Sequence, residues 1–225
     1  MKTAVASVLL VNKPLRWTSF DVVKKIRSSL KKKYNINKLK VGHCGTLDPL
    51  ACGLLIICTG SKTKTIKDYE SLTKTYRGVM KLGCMTRSFD RETEEESFQN
   101  FRNINIEQVQ SVFLGFSGLQ DQTPPIFSAL KVDGERLYKK ARRGEKNIRL
   151  KSRKITIYEL RLLKFNLPFV SFEVKCSKGT YIRTLVHDIG IRLNCGAYLY
   201  ELTRTHIGPY DLKDAIEIND IMPEI

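Results

Sequence analysis

The apolar and polar positions along the chain change period several times, and each change marks an element. Ala4 to Val11 is a short, β-rich apolar run that predicts a buried strand. Thr18-Ser19-Phe20-Asp21 has the spacing of an N-terminal capping box. Phe20, Val23, Ile26 and Leu30 then recur near helical intervals, and Lys31 to Lys33 suit the negative pole at the helix end. Gly42 to Gly53 is punctuated by glycine and proline, and Leu54 to Thr59 follows as an apolar strand. Thr75 to Cys84 predicts another strand, whereas the charged stretch Thr86 to Asn103 has no periodicity and is expected to be a poorly ordered connection.

Asn105 with Gln108 predicts the start of a helix carrying Ile106, Val109, Phe113 and Phe116, stopped at Gly118. Val170, Phe172, Val174 and Cys176 alternate with polar residues, the pattern of a half-buried strand, and Ile155 to Phe165 is its expected hairpin partner. Arg183 to Asn194 predicts a helix with Leu185, Val186, Ile189 and Leu193 inward, ended at Gly196. Tyr198 to Ile207 reads as a strand, and Asp211 with Asp214 as the cap of a last helix. Strands and helices mix without a βαβ rhythm. The expected fold class is therefore α+β, a mixed, largely antiparallel sheet with flanking helices and loops, in one domain over residues 1–225.

Composition sharpens this in two ways. No stretch approaches the roughly 18 apolar residues of a membrane span, and Asn12-Lys13-Pro14 stands where a signal-peptide cleavage site would be. The six cysteines form no C-x-x-C pair, so neither a zinc site nor a disulfide framework is expected, and free thiols suit a reducing, cytoplasmic setting. Lys plus Arg is 39 against 23 acids, a net charge of +16. That charge is concentrated: nine cations and one acid lie between Arg16 and Lys40, and eleven cations and three acids between Lys131 and Lys154. Two such blocks on an otherwise balanced chain point to a polyanion, and nucleic acid is the expected partner.

The segment Gly42-His43-Cys44-Gly45-Thr46-Leu47-Asp48-Pro49-Leu50-Ala51-Cys52-Gly53 carries the candidate chemistry. Its glycines let backbone approach a ligand closely, and no phosphate-binding G-x-x-x-x-G-K-[ST] pattern is present. By itself, Asp48 before Pro49 is a common turn residue as well as a candidate carboxylate. The G-H-x-G-x-L-D-P-x-A-x-G pattern resembles the catalytic loop of the TruB family of tRNA pseudouridine synthases. Other segments resemble that family in order: Asn12-Lys13-Pro14 with Thr18-Ser19, Lys74-Thr75-Tyr76, Pro124-Pro125 with Ser128-Ala129-Leu130-Lys131, Cys176 to Arg183, and Gly196-Ala197 with Leu202-x-Arg204. Cys44 stands where Thr is more usual, Phe127 where Tyr often occurs, and Thr203 and His206 where the family commonly has Arg.

The resemblance implies the pseudouridine synthase catalytic fold and an isomerase that converts the T-loop uridine at tRNA position 55 to pseudouridine, without a cofactor or metal. It implies Asp48 as the catalytic carboxylate, a covalent nucleophile or a base at C2′. Arg183 matches the arginine that pairs with that aspartate; a guanidinium beside a carboxylate favours its ionised form. Tyr76 matches the tyrosine that stacks on the target uracil, and His43 the histidine that enters the RNA and stabilises the extruded base. Tyr181 and Leu202 match pocket-lining positions and serve equally as core. Lys13, Lys64, Lys131 and Arg142 are candidate phosphate contacts. The segment 124–154 resembles an RNA-gripping insertion, expected to be poorly ordered without RNA. No C-terminal PUA domain is expected, and a monomer acting on the tRNA T-arm, with no membrane association, is. The competing readings are a noncatalytic RNA-binding or tRNA-folding module, and a related synthase acting on rRNA.

Overall fold

The computed structural model describes residues 6–132, 134–145 and 150–220. In chain order the elements are β1 (Val8–Lys13), α1 (Ser19–Lys33), β2 (Val41–His43), β3 (Ala51–Thr59), a 3-10 turn (Gly60–Thr65), α2 (Ile66–Ser71), β4 (Lys74–Leu82) and the short pair β5 (Met85–Thr86) and β6 (Glu95–Glu96). Then come α3 (Ile106–Gly115), β7 (Gly118–Gln122), the hairpin β8 (Lys131–Val132) and β9 (Glu135–Arg136), α4 (Leu137–Arg142), β10 (Arg153–Asn166) and β11 (Phe169–Cys176). The chain closes with α5 (Ile182–Arg192), β12 (Ala197–Ile207), β13 (Tyr210–Asp211), a 3-10 turn (Leu212–Asp214) and β14 (Ile216–Glu217). The class is α+β, with a mostly antiparallel sheet. The described part of Ala4 to Val11 is strand from Val8; Ala4 and Val5 lie outside the described residues.

Two compact units divide the chain: residues up to Arg77 with those from Leu202 onward, and residues Gly78 to Glu201. In the first, β3 is central. Along one edge β1 runs antiparallel to it, Val8 opposite Cys58 and Lys13 opposite Gly53. Along the other edge, β2 pairs antiparallel with its end (Val41 opposite Thr59) and β12 parallel with its beginning (Leu202 opposite Ala51). Leu54 to Cys58 are fully buried because both faces are covered. Leu55 and Ile57 pack with Val22, Val23 and Ile26 of α1, and Leu54, Ile56 and Cys58 pack with Ile207 and with Ile66, Tyr69 and Leu72 around α2.

Thr18 caps α1 as its spacing predicts: its side chain accepts from the Asp21 amide while Asp21 accepts from the Thr18 amide. The buried stripe of α1 is Ser19, Val22, Val23, Ile26 and Ser29 rather than the one Phe20 would begin. Phe20 is 53% exposed, and the Lys24 ammonium sits 5.1 Å from its ring centre.

Gly53 decides how closely β3 and β12 meet. Its φ is +103°, and a Cβ there would stand 2.4 Å from the Arg204 carbonyl oxygen and 2.9 Å from the Arg204 nitrogen. Both are backbone atoms, so no side chain can give way. Gly53→Ala is expected to cost about 2–4 kcal/mol in urea unfolding, combining a strained φ with a forced strand displacement. An undiminished unfolding midpoint would show that the two strands can part there.

In the second unit, β11, β10 and β7 form an antiparallel meander: Asn166 opposite Phe169, and Arg153 opposite Gln122. Val170, Phe172, Val174 and Cys176 are buried as their alternation predicts. Helix α3 begins at a capping box of Asn105 and Gln108. The stretch Thr86 to Asn103 differs from its expectation. Thr86 and Ser88 hydroxyls donate to the Asp90 carbonyl, and Asp90 Oδ1 accepts from the Glu92 amide. Short polar side chains thus supply hydrogen bonds between the short paired strands β5 and β6. The basic segment is likewise structured over β8, β9 and α4, while its residues 146–149 and Asp133 lie outside the described residues. Asp211 caps a single 3-10 turn rather than a full helix.

Candidate active site

The loop after β2 is tied down residue by residue within the first unit. The Cys44 amide donates to the Ile56 carbonyl at 2.8 Å. Ser19, at the start of α1, accepts from the Leu47 amide at 2.8 Å, and its hydroxyl donates to the Leu47 carbonyl at 3.0 Å. The Arg16 amide donates to the Pro49 carbonyl at 2.7 Å, and the Ala51 amide to that of Asp48 at 3.1 Å. Arg204, 1% exposed on β12, reaches the loop from the other side. Its Nε donates to the Leu54 carbonyl at 2.7 Å, and its two terminal nitrogens to the Gly45 and Thr46 carbonyls at 3.3 and 3.4 Å. A buried guanidinium can stay charged when carbonyl oxygens replace its water. Asp48 is therefore presented, half-buried, from a rigid base.

Lys13 closes the end of β1 beneath this loop. It is fully buried, and its ammonium donates to the carbonyls of Pro14 at 2.9 Å and Trp17 at 2.6 Å. Burial pulls its pKa down to about 8, with Cys52 and Asp48 acting to raise it and Arg204 to lower it. Lys13 and Asp48 thus share one electrostatic neighbourhood. Burial, and next the Arg204 charge, hold the His43 imidazole below its ordinary pKa, so the ring is neutral at neutral pH. Its Nδ1 is buried with no hydrogen-bond partner among the described residues, a polar atom left open beside the loop. Tyr76 is buried on β4, two residues from Lys74, whose ammonium donates to the Glu70 and Leu72 carbonyls at the end of α2. Leu202 is buried on β12, and Lys64 is exposed on the turn after β3.

The second unit holds the other candidates. Arg183, at the start of α5, is 4% exposed. Its Nη1 donates to the Ser88 carbonyl at 2.9 Å, its Nη2 to that of Phe127 at 2.8 Å, and its Nε lies 3.5 Å from the Asp90 carboxylate. Helix N-termini repel cations, so this arginine is held by carbonyls and a carboxylate that the chain brings to it. Tyr181, two residues earlier at the helix N-cap, is clamped by Gln122: its amide donates to Oε1 at 2.7 Å and its carbonyl accepts from Nε2 at 3.0 Å. The Arg153 guanidinium lies 4.4 Å from its ring centre. Arg142 meets Glu92 at 2.6 Å, while Lys131 is exposed on β8.

Sequence reasoning placed Arg204 only as part of a strand motif and missed Asp90, Gln122 and Arg153. Asp90 stands among many acids in a stretch without periodicity. Arg153 counted simply as one more cation of a basic block. Nothing in their local spacing separates them from solvated neighbours.

A glycine-rich loop presenting a carboxylate from an α+β frame is a site able to supply a base or a nucleophile, and comparison with known proteins narrows the class. Residues 31–182 match the family model of the TruB family pseudouridylate synthase N-terminal domain, and residues 183–224 that of the tRNA pseudouridylate synthase B C-terminal domain. The chain is 48% identical to the tRNA pseudouridine synthase B of Phocaeicola vulgatus, over 94% of this chain and 89% of that protein. It is 46% identical to the tRNA pseudouridine synthase B of Parabacteroides distasonis, over 100% of this chain and 96% of that protein. Among solved structures, a chain of a Cbf5–Nop10–Gar1 complex superposes with a TM-score of 0.70 at 28% identity, covering 95% of this chain and 52% of that one. The chain thus spans about half the length of that structural relative. It belongs to the TruB family of pseudouridylate synthases.

Proposed function

We propose that this chain is an isomerase that converts a uridine of tRNA, the one at position 55 in the T-loop, to pseudouridine. The observation that carries the reading is the loop holding Asp48, fixed by Ser19 and Arg204, in a chain that matches proteins named tRNA pseudouridine synthase B over 89% and 96% of their length. The N1–C1′ bond breaks, the uracil turns, C5 bonds to C1′, and the C5 proton leaves as N1 gains one. Substrate and product contain the same atoms, so the net change calls for no oxidant, reductant or leaving group. Asp48 acts as the carboxylate of this rearrangement, by attack at C1′ or C6 or by abstracting the C2′ proton.

The base must leave its stack before any of these steps. Tyr76 is the aromatic face for the extruded uracil, and neutral His43 fills its place by packing and hydrogen bonding rather than by charge. Arg183 is the motif arginine of the reaction, and Tyr181 and Leu202 take the roles of the family's base-binding positions, each within its own unit. Lys13, expected to contact phosphate, is instead fully buried with its ammonium on the Pro14 and Trp17 carbonyls, and acts through the loop beneath Asp48; exposed Lys64 and Lys131 take phosphates, and Arg142 would have to leave Glu92 to do so.

Release of tritium from a tRNA transcript carrying C5-tritiated uridine tests the proposal. One equivalent per tRNA is expected. Binding without release would favour a noncatalytic folding module, and release only from an rRNA fragment would favour the related synthase.

A further inference from the structure

The cations of this chain are of two kinds, and their local partners separate them. In the segment from Lys131 to Lys154, Arg143 meets both Glu135 and Glu145 at 2.6 Å, Arg142 meets Glu92 at 2.6 Å, and Lys154 meets Asp121 at 2.8 Å. With Lys140, 3.8 Å from Glu145, four of the nine described cations of that segment meet an acid. The other block is different. From Lys24 to Lys40 the sequence has eight Lys and Arg residues and no acid. Arg27 donates to the Val41 carbonyl, but none of the seven lysines forms an ion pair among the described residues.

We propose that this face of the first unit, from the C-terminal end of α1 through Lys38 and Lys40, is a docking track for RNA phosphates lying outside the target loop. That the polyanion is RNA rests on the function proposed above; the unanswered charge does not.

Geometry sets where the track runs. The start of α1 is pinned to the catalytic loop through Ser19 and Leu47. Fifteen residues at 1.5 Å each put the far end of the helix about 20 Å away along its axis. There Lys31, Lys32 and Lys33 lead into the cap residue Tyr34, which is 43% exposed. Asn35, at φ 48°, turns the chain back, and exposed Lys38 and Lys40 lead into β2 and His43. A negative helix pole amounts to about half a charge, so three lysines exceed what the helix end requires. An exposed aromatic ring between cations also suits a nucleobase or ribose.

A lipid surface fits less well. The exposed positions of α1 apart from Phe20 at its start are Lys24, Lys25, Ser28, Lys32 and Lys33, which leaves no apolar stripe to enter a bilayer interface.

The test is the salt dependence of binding to a full-length tRNA transcript and to its isolated T-arm hairpin, for the wild-type chain and for Lys31→Gln/Lys32→Gln/Lys33→Gln. For tRNA, the slope of log K against log salt between about 50 and 200 mM is expected to fall by about 2 to 3, with at least about tenfold weaker binding. For the hairpin, slope and affinity are expected to stay as they are. Lys24→Gln/Lys25→Gln, on the same exposed face, is a second variant expected to lower the tRNA slope by about 1 to 2. An unchanged tRNA slope in both variants would overturn the proposal, as would an equal loss for hairpin and tRNA. Loss of binding to anionic phospholipid vesicles with tRNA binding intact would overturn it in favour of a membrane surface. Tritium release is read separately: a chain that keeps this salt signature but releases no tritium retains the track and loses the isomerase reading.

Discussion

Asp48→Asn should reduce tritium release by about 10⁴-fold or more while leaving the protein folded. The amide has the size and nearly the shape of the carboxylate, and it neither attacks carbon nor accepts a proton from C2′. The loop is held by backbone hydrogen bonds and by Ser19 and Arg204, and Asp48→Asn leaves all of these in place. The melting temperature should therefore move little. A second readout checks the neighbourhood. The Asp48 charge raises the pKa of buried Lys13, which stands at about 8. Removing that charge should make the Lys13 amine titrate below 8, as followed by NMR of the labelled side chain. Full activity in the variant would remove Asp48 from the chemistry. An unmoved Lys13 titration would place the two groups in separate surroundings.

Arg183→Met should affect both stability and turnover. Breaking a buried ion pair by removing one partner costs about 3–5 kcal/mol, because the remaining charge stays buried with less to answer it. Here Asp90 is 6% exposed and Arg183 4%, so water cannot easily take the arginine's place. The Ser88 and Phe127 carbonyls also lose their donors, each worth about 1 kcal/mol. In the double variant Arg183→Met/Asp90→Asn the charge penalty disappears, and only the carbonyl losses should persist, about 2 kcal/mol. Urea unfolding of the two singles and the double measures the coupling. Turnover should fall at least about a hundredfold in Arg183→Met and should not return in the double, even where stability does. Recovery of both together would make Arg183 a structural residue only.

Much of this molecule was legible in its amino-acid order, where interactions are local. The capping boxes at Thr18–Asp21 and Asn105–Gln108, the alternation of Val170 to Cys176 and the apolar run of β3 all depend on residues a few positions apart. The loop carrying Asp48 was legible too, because its glycines, histidine and aspartate are contiguous. Phe20 misled because a capping residue begins a helix at whatever angle the loop before it dictates. Thr86 to Asn103 misled because side chains bonding to nearby backbone leave no period to read.

By itself, the sequence determined the family, the order of the elements, the acid at the centre of the candidate chemistry and a surplus of positive charge. Only the tertiary structure decided which charges are spent inside the protein. Arg183 and Asp90 are 93 positions apart, Arg204 and Gly45 159, and Arg142 and Glu92 50. Coulomb energy follows distance in space and the polarisability of what lies between, and neither is written in the order of residues. That is why two blocks of equal formal charge came to differ, one with four of its described cations matched by nearby acids and the other, on α1 and the segment after it, still open to a polyanion.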